Sequence, residues 1–290
     1  MKIWITGASG MLARDLSEQA SMAGHICLGT DLDVDITDRT KVSNWLDAHP
    51  VDWVVNCAAY TAVDKAETDE DRAFLINAKG PENLAIETSR RDLPLIHIST
   101  DYVLNGAAPD ALREDAPLDP HSAYGRTKAK GEVRIATLNP KHWIVRTAWL
   151  YGIHGNNFVK TMLRLMSERD QVKVVDDQWG SPTWTVDLAH AILGIIGSGR
   201  KPGTYHYSDD GKITWCTFAR EIQRQAIEFG LLKRAVPIEA IPSSAFPSPT
   251  VRPTWSVLDK SRIRRAFSVE VPSWEASLNS YLQLEVAARD

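Results

Sequence analysis

The stretch that most limits what this chain can fold into is "KIWITGASGMLA", residues 2–13: an apolar run of strand type, a turn carrying two glycines, and the opening of a helix. Gly7 permits the tight turn, Gly10 lets backbone approach a diphosphate, and Ala13 is small enough for the helix to pack closely on the strand. The helix N-terminus then offers free N–H groups and a partial positive charge to a phosphate. Strand-like runs and helical patterns keep alternating: "HICLGT" before a helix at 38–48, "DWVVNCA" before 70–91, "LPLIHIS" before 122–137, then "HWIVRTAW". Such near-continuous apolar runs are buried on both faces, and the helices between them supply the crossovers that parallel strands need. The expected class is α/β, a doubly wound, Rossmann-like parallel sheet over residues 1–150.

Beyond residue 150 the rhythm changes to helices at 157–168, 185–197, 214–229 and 273–287, separated by short strands and turns such as "IPSSAFPSPTVRP". A smaller mixed α/β lobe is expected over 151–184 and 198–290, with the helix near 185–197 returning to the first unit. The Pro/Ser stretch at 242–253 reads as an ordered loop. With 43% hydrophobic and 24% charged residues and a net charge of -4, the chain suits an aqueous globular protein. No apolar run reaches the roughly 18 residues of a membrane span, and the start "MKIWITG" has no signal-peptide layout, so no membrane role and a cytoplasmic location are expected. Cys27, Cys57 and Cys216 are scattered and odd in number, which predicts neither a disulfide nor a zinc site. Without a long basic run, nucleic acid is not an expected partner.

A dinucleotide site would draw on Gly7, Ser9, Gly10, Met11 and Leu12 at the glycine turn and on an acid about 20 residues further on. Asp31 ends the second strand-like run, where its carboxylate could bind the adenosine ribose hydroxyls and repel a 2'-phosphate; Asp33 competes for that role. Asp35 is a candidate for the adenine amino group. In "VVNCAAYTAVDKAE" the small Ala58 and Ala59, followed by Tyr60, leave room for a cofactor against the backbone at the carboxyl end of the third strand, although a tightly packed strand end has the same look.

"HSAYGRTKAKGE" sets Tyr124 and Lys128 one helical turn apart, and Ser99 and Thr100 end the preceding strand on the same sheet edge. Hydroxyl, phenol and ammonium can therefore converge. A phenol with an ordinary pKa near 10 is a poor acid or base at neutral pH, and a nearby ammonium would favour its phenolate. On its own the Tyr-Lys spacing more often marks a lysine stem packed on a ring.

Together these segments resemble the extended short-chain dehydrogenase/reductase superfamily, whose triad is Ser/Thr, Tyr and Lys. Within it, "NCAAYTAVDKAE", "STDYVLNG", "YGRTKAKGE", "RTAWLYG", "GNNFVKTMLRL", "DDQWGSPT" and "RPTWSVLD" resemble the dTDP-4-dehydrorhamnose reductase family over nearly the whole chain. The resemblance implies NADPH or NADH as cofactor and a dTDP-sugar held between two lobes, with the C4 ketone of dTDP-6-deoxy-L-lyxo-4-hexulose reduced to give dTDP-L-rhamnose. It implies that Tyr124 protonates the nascent alkoxide, that Lys128 holds the nicotinamide ribose and tunes Tyr124, and that Thr100 hydrogen-bonds the oxygen that becomes O4. Asp101, Val103 and Trp149 would line the sugar site, and Asn156, Asn157 and Arg252 would lie near the substrate diphosphate; Trp149 as plain core and Arg252 as a surface ion pair remain open. Leu104, Asn105 and Trp179 depart from the family pattern, which puts the exact sugar in question. Some members bind a divalent ion at a subunit interface, so Mg2+ and a homodimer stand as weaker implications, and no spacing here identifies metal ligands. Two other functions compete: a nucleotide-sugar 4-epimerase, and a non-catalytic regulatory subunit similar to the methionine adenosyltransferase beta subunit. A 4,6-dehydratase would carry Asp-Glu after the threonine, whereas Asp101 is followed by Tyr102.

Overall fold

The computed structural model describes residues 1–106, 109–198 and 201–288. Its central sheet has six parallel strands, β1 (Lys2–Thr6), β2 (Ile26–Thr30), β3 (Trp53–Asn56), β4 (Leu95–Thr100), β5 (His142–Thr147) and β6 (Gly203–His206), in the order β6-β5-β4-β3-β1-β2. The winding direction reverses between β1 and β3. Their carboxyl ends therefore open a crevice, which is where open α/β sheets receive ligands.

Alternation along each strand divides the core. Ile3 and Ile5 face α1 (Met11–Met22) and its neighbours, while Trp4 faces α2 (Arg39–Ala48), α3 (Gly80–Arg90) and α4 (Ala123–Leu138). The expected two-sided burial holds for β3, buried throughout, but not for β2: it is the sheet edge, and Ile26 is 56% exposed.

The segment assigned from sequence to the second lobe also contributes to this sheet. Gly203–His206 pairs in parallel with β5, and Ile263 and Phe267 of the short helix Ser261–Phe267 join the core on the α1 face. A strand of four residues between polar turns leaves too little pattern to show this. Leu188, Ile192 and Ile195 of the helix Thr185–Ser198 pack into the same core.

The helix expected over 70–91 is three pieces, Glu70–Phe74, a π-helical turn Leu75–Lys79, and α3. A π-turn inserts an extra residue per turn and re-aims the side chains within it, here Asn77. Gly131 of α4 packs against this turn, where a Cβ would fall 2.2 Å from the Asn77 carbonyl oxygen.

A second core gathers the helices Phe158–Glu168, Trp215–Glu228 and Trp274–Ala287. In the first, Val159, Met162, Leu163 and Met166 form one buried stripe at helical spacing, each worth about 1.5–3 kcal/mol of burial.

Helix α4 begins where Ser122 Oγ accepts from the Gly125 N–H at 3.0 Å. A buried ion pair ties it to β5: Arg146 donates to both Glu132 oxygens, with Nη2 to Oε2 at 2.7 Å and Nε to Oε1 at 2.9 Å. His206 of β6 lies beside the guanidinium, and burial together with that charge pushes its imidazole down to about 3. No helix among the described residues is long and apolar enough to cross a membrane.

Candidate active site

At the crevice Gly7 adopts φ +69, and a Cβ there would fall 2.7 Å from the Ala58 backbone. That cradle accepts backbone and ligand but no side chain. Gly10 N–H donates to the Gly7 carbonyl at 2.9 Å, and Gly10 caps α1 without any side-chain acceptor, so the first N–H groups of a 12-residue helix remain available to an anion. Met11 is half-buried and Leu12 turns its side chain into the core.

Asp31 sits at the crevice, where Oδ2 accepts from the Ser9 N–H at 3.0 Å; its own N–H donates to Asp33 Oδ1 at 2.6 Å. Asp35 is engaged in its turn, accepting from the Thr37 N–H and hydroxyl. Ala58, Ala59 and Tyr60 are partly buried along the opposite edge. Asn77 fixes that edge: Oδ1 accepts from the Tyr60 N–H at 2.8 Å and Nδ2 donates to the Tyr60 carbonyl at 3.1 Å. Sequence reasoning missed Asn77, because its role depends on the π-turn.

Thr100 and Tyr124 do meet. The Thr100 hydroxyl lies close enough to the Tyr124 phenol to act on its proton, and Tyr124 is 9% exposed. Thr100 Oγ1 also donates to Asp101 Oδ1 at 2.8 Å, and the second oxygen of Asp101 is buried without a partner. Lys128, 1% exposed, turns its amine inward, donating to the Ile98 carbonyl at 2.6 Å with His97 Nε2 at 3.2 Å. The expected lowering of the Tyr124 phenol is therefore corrected. Burial pushes it up, the neighbouring Asp101 and Tyr102 push the same way, and the Thr100 hydroxyl offsets part of this. Burial also depresses the Lys128 amine, to about 8.

Of the residues expected at the sugar, Asp101 is buried beside Thr100, whereas Val103 is 0% exposed and packs with Leu104, Ala129, Ala148 and Leu258. Val103 is thus a core residue, corrected from a pocket residue: the short 3-10 helix Asp101–Val103 turns it inward. Trp149 adopts a left-handed φ of 50 and stacks on Trp215 at 3.6 Å between centroids, partly buried. A tryptophan held in that region carries backbone strain of the kind concentrated at functional sites.

The expected diphosphate group does not gather in one place. Asn156 is exposed. Asn157 caps the helix Phe158–Glu168, accepting from the Lys160 N–H at 3.1 Å and donating to the Gly152 carbonyl at 2.7 Å, beside Met11. Arg252 pairs instead with Asp64, 3.0 Å away, beside Tyr102. Arg252, Tyr102, Leu104, Asn105, His121 and Ser122 lie among the residues lining a cavity of about 190 Å³. Thus Leu104, read from sequence as a pocket departure, is mostly core, while Asn105 borders the cavity and donates to Asp119 at 2.5 Å. His121 and Ser122 were not foreseen as lining residues. Trp179 is 38% exposed on the other lobe, with Lys212 over its ring. Among the described residues no group of three or more His, Cys, Asp or Glu could hold a metal ion.

The sequence profile of the RmlD substrate binding domain matches residues 1–286. A dTDP-4-dehydrorhamnose reductase of Streptomyces griseus is 42% identical, over 94% of this chain and 90% of the relative. A dTDP-4-keto-6-deoxy-D-glucose reductase of Streptomyces niveus is 40% identical, over 97% and 96%. The crystal structure of the Bacillus anthracis dTDP-4-dehydrorhamnose reductase in complex with NADP superposes with a TM-score of 0.92 at 36% identity, covering 98% of this chain and 99% of that one. A glycine crevice at the sheet reversal, a threonine-tyrosine hydroxyl pair beside a buried lysine, and a match of this length leave one assignment: the chain belongs to the RmlD family of the extended short-chain dehydrogenase/reductases.

Proposed function

We propose that this protein is an oxidoreductase that uses NADPH or NADH to reduce the C4 ketone of a dTDP-linked 4-keto-6-deoxyhexose, with dTDP-6-deoxy-L-lyxo-4-hexulose as substrate and dTDP-L-rhamnose as product. The observation that carries it is the Thr100–Tyr124 hydroxyl pair at the carboxyl end of β4, on the same sheet edge as the Gly7–Ala58 cradle. The cradle suits a dinucleotide, because a Cβ at Gly7 would fill it and the α1 N–H groups have no cap. Gly7, Ser9, Gly10, Met11 and Leu12 hold the diphosphate through backbone, Asp31 meets the adenosine ribose, Asp35 lies towards the adenine, and Ala58, Ala59 and Tyr60 form the opposite edge.

When bound, the reduced nicotinamide supplies the hydride that C4 receives. As charge develops on O4, Tyr124 gives its proton to that oxygen and the Thr100 hydroxyl turns from Asp101 to donate a hydrogen bond to it, so the alkoxide becomes an alcohol. A buried phenol is held neutral, which keeps the proton on Tyr124 until an alkoxide, a far stronger base than water, takes it. Asp101, with one buried oxygen unpartnered, accepts from a sugar hydroxyl, and Trp149 packs its face on the ring. Arg252 exchanges Asp64 for the substrate phosphates, where a guanidinium can make paired bonds. The nucleotide unit comprises residues 1–150, the helix near 185–197 and β6; the remainder forms the sugar-nucleotide unit.

The test is to incubate purified protein with enzymatically generated dTDP-4-keto-L-rhamnose and, separately, dTDP-4-keto-6-deoxy-D-glucose, each with NADPH and with NADH. Loss of the nicotinamide absorbance, one equivalent per sugar reduced, is expected with the first sugar. Sugar interconversion without dinucleotide consumption would mean an epimerase instead. No reaction of either sugar, together with capture of a partner enzyme, would mean a regulatory subunit.

A further inference from the structure

Tyr124 stands in the first turn of α4, where a helix is least held, because its first N–H groups have no carbonyl one turn earlier to bond. A proton donor must stand within hydrogen-bond reach of the oxygen it serves, so that turn has to be fixed from outside. Two of the bonds around Tyr124 come from α4 and its cap. Ser122 Oγ accepts from the Gly125 N–H at 3.0 Å, and Thr127 Oγ1 donates to the Tyr124 carbonyl at 2.9 Å while accepting from Asn77 Nδ2 at 3.2 Å. These keep the shape of the turn. A third bond comes from elsewhere in the chain: Glu67 Oε1 accepts from the Ala123 N–H at 3.0 Å.

Glu67 directly follows the short helix Val63–Ala66, which lies beyond the carboxyl end of β3. The ring of Tyr124 rests on the same segment, in a cluster with Val63, Ala66 and Ala73, and stands edge-on to Tyr102 at 5.6 Å between centroids. Gly125 lets the turn close on Tyr102 from behind, since a Cβ there would fall 2.2 Å from the Tyr102 carbonyl oxygen. The neighbouring Arg126–Glu70 pair also joins α4 to this segment, but both side chains are 40% exposed, and ion pairs in water hold little. Glu67 has the stronger grip. A carboxylate bonded to a backbone N–H is charge-assisted, and it sits at the positive end of a 16-residue helix.

We infer that Glu67 is a positioning residue: through the Ala123 N–H it fixes the first turn of α4 against the edge of the crevice, and so sets where the Tyr124 phenol stands. The inference deepens the proposed function, since it rests on the role assigned there to Tyr124. The acceptor oxygen supplies the direction and the charge only adds strength. Glu67→Gln, which keeps an acceptor oxygen at the same reach, should therefore rescue what Glu67→Ala loses.

Kinetics and spectra of the intact chain test this. In Glu67→Ala, kcat for ketone reduction should fall by ~10-fold or more while KM for the sugar and dinucleotide affinity stay close to wild type, because a displaced acid costs rate rather than binding. Glu67→Gln should keep kcat within about threefold. Ser273 Oγ caps the distant helix Trp274–Ala287, and Ser273→Ala should leave kcat unchanged. An equal kcat loss in Ser273→Ala, or in Glu67→Gln, would reduce Glu67 to a general support of the fold and overturn the inference. Carbon-13 at Tyr124 Cζ in the cofactor-free protein, identified by its absence in Tyr124→Phe, should be shifted or broadened in Glu67→Ala and in place in Glu67→Gln. An unmoved resonance in Glu67→Ala overturns the inference whether or not the protein reduces ketones. If Glu67→Ala does not fold, Glu67→Gln decides: its Ala123 amide proton resonance, which reports the acceptor, should move while Tyr124 stays. An Ala123 amide that does not move, or a Tyr124 that shifts with it, overturns the inference. The expected spectra with no ketone reduction in wild type would leave the hold on Tyr124 standing and remove the proposed function.

Discussion

The nucleotide wall of the cleft comes from adjacent strand ends of one sheet, residues 7–12, 31–35 and 58–60, whereas the proposed sugar wall is assembled from Thr100–Gly106, His121–Tyr124, Trp149 and the loop around Arg252. The first is held by the parallel ladders of β1, β2 and β3 and by the close approach of the Gly7 and Ala58 backbones. The second is clipped across the chain by side chains: Arg252 to Asp64, Ser248 Oγ to Asp64 at 2.9 Å, and Trp255 Nε1 to the Asp110 carbonyl at 2.7 Å. A wall of backbone holds one shape for one shared cofactor. A wall of replaceable side-chain contacts can be retuned for a different sugar while the fold stays constant, and this matches relatives of similar identity that carry different sugar names.

Substitutions can break or sharpen that contrast. The largest effect is expected at the floor the two walls share, where Glu132→Ala leaves Arg146 buried and unpaired. It should cost about 3–5 kcal/mol of stability, read as a lower denaturant midpoint. A loss well under ~1 kcal/mol would show that α4 is anchored elsewhere. Next, Tyr124→Phe should lower turnover by ~100-fold or more while dinucleotide binding and melting temperature stay close to wild type. Equal turnover would remove Tyr124 as the acid. On the sugar wall alone, Arg252→Ala should raise KM for the dTDP-sugar by about tenfold or more, the scale of a charge-assisted contact, with KM for the dinucleotide unchanged. A matching rise in both would mean that the walls are not independent.

A pH scan draws the same line more finely. Burial pushes the Asp64 carboxyl up, but the Ser248 hydroxyl and the Arg252 guanidinium bonded to it prevail and hold it below its ordinary value. A carboxylate depressed in the folded state stabilises above its unfolded pKa of about 4, and that contribution is lost as pH falls through the lower folded value. Acidification below ~4 should thus speed amide exchange around residues 248–254 before it does so in β4; simultaneous loss would contradict a separately clipped loop. The smallest effect is expected from Asn157→Ala, which removes a helix cap and should cost ~1 kcal/mol.

What could be seen from sequence follows the same division. The glycine turn and the doubly wound sheet are local patterns that spacing displays, whereas the Thr100, Tyr124 and Lys128 set stood out through its place after the glycine turn and through the family resemblance. The direction of the Lys128 amine is not local. It depends on His97 of β4 and on Asn56 of β3, and the expected effect of an ammonium on Tyr124 failed because that amine turns towards them. Val103 was misplaced because a 3-10 turn, too short to leave a period, rotates it into the core. β6 was given to the wrong lobe because four residues cannot show which sheet they join.

By itself the sequence determined which segments become strands and helices, because hydrophobic period and turn chemistry act over a few residues, and it carried the family's reactive groups on those segments. Tertiary structure alone decided which polar atoms face one another: the Asn77 bracket around Tyr60, the Arg252–Asp64 clip, and the contact of Asn56 with His97. These are properties of distance and burial between residues far apart in the chain, where a single unpaired donor or acceptor costs enough to select one arrangement.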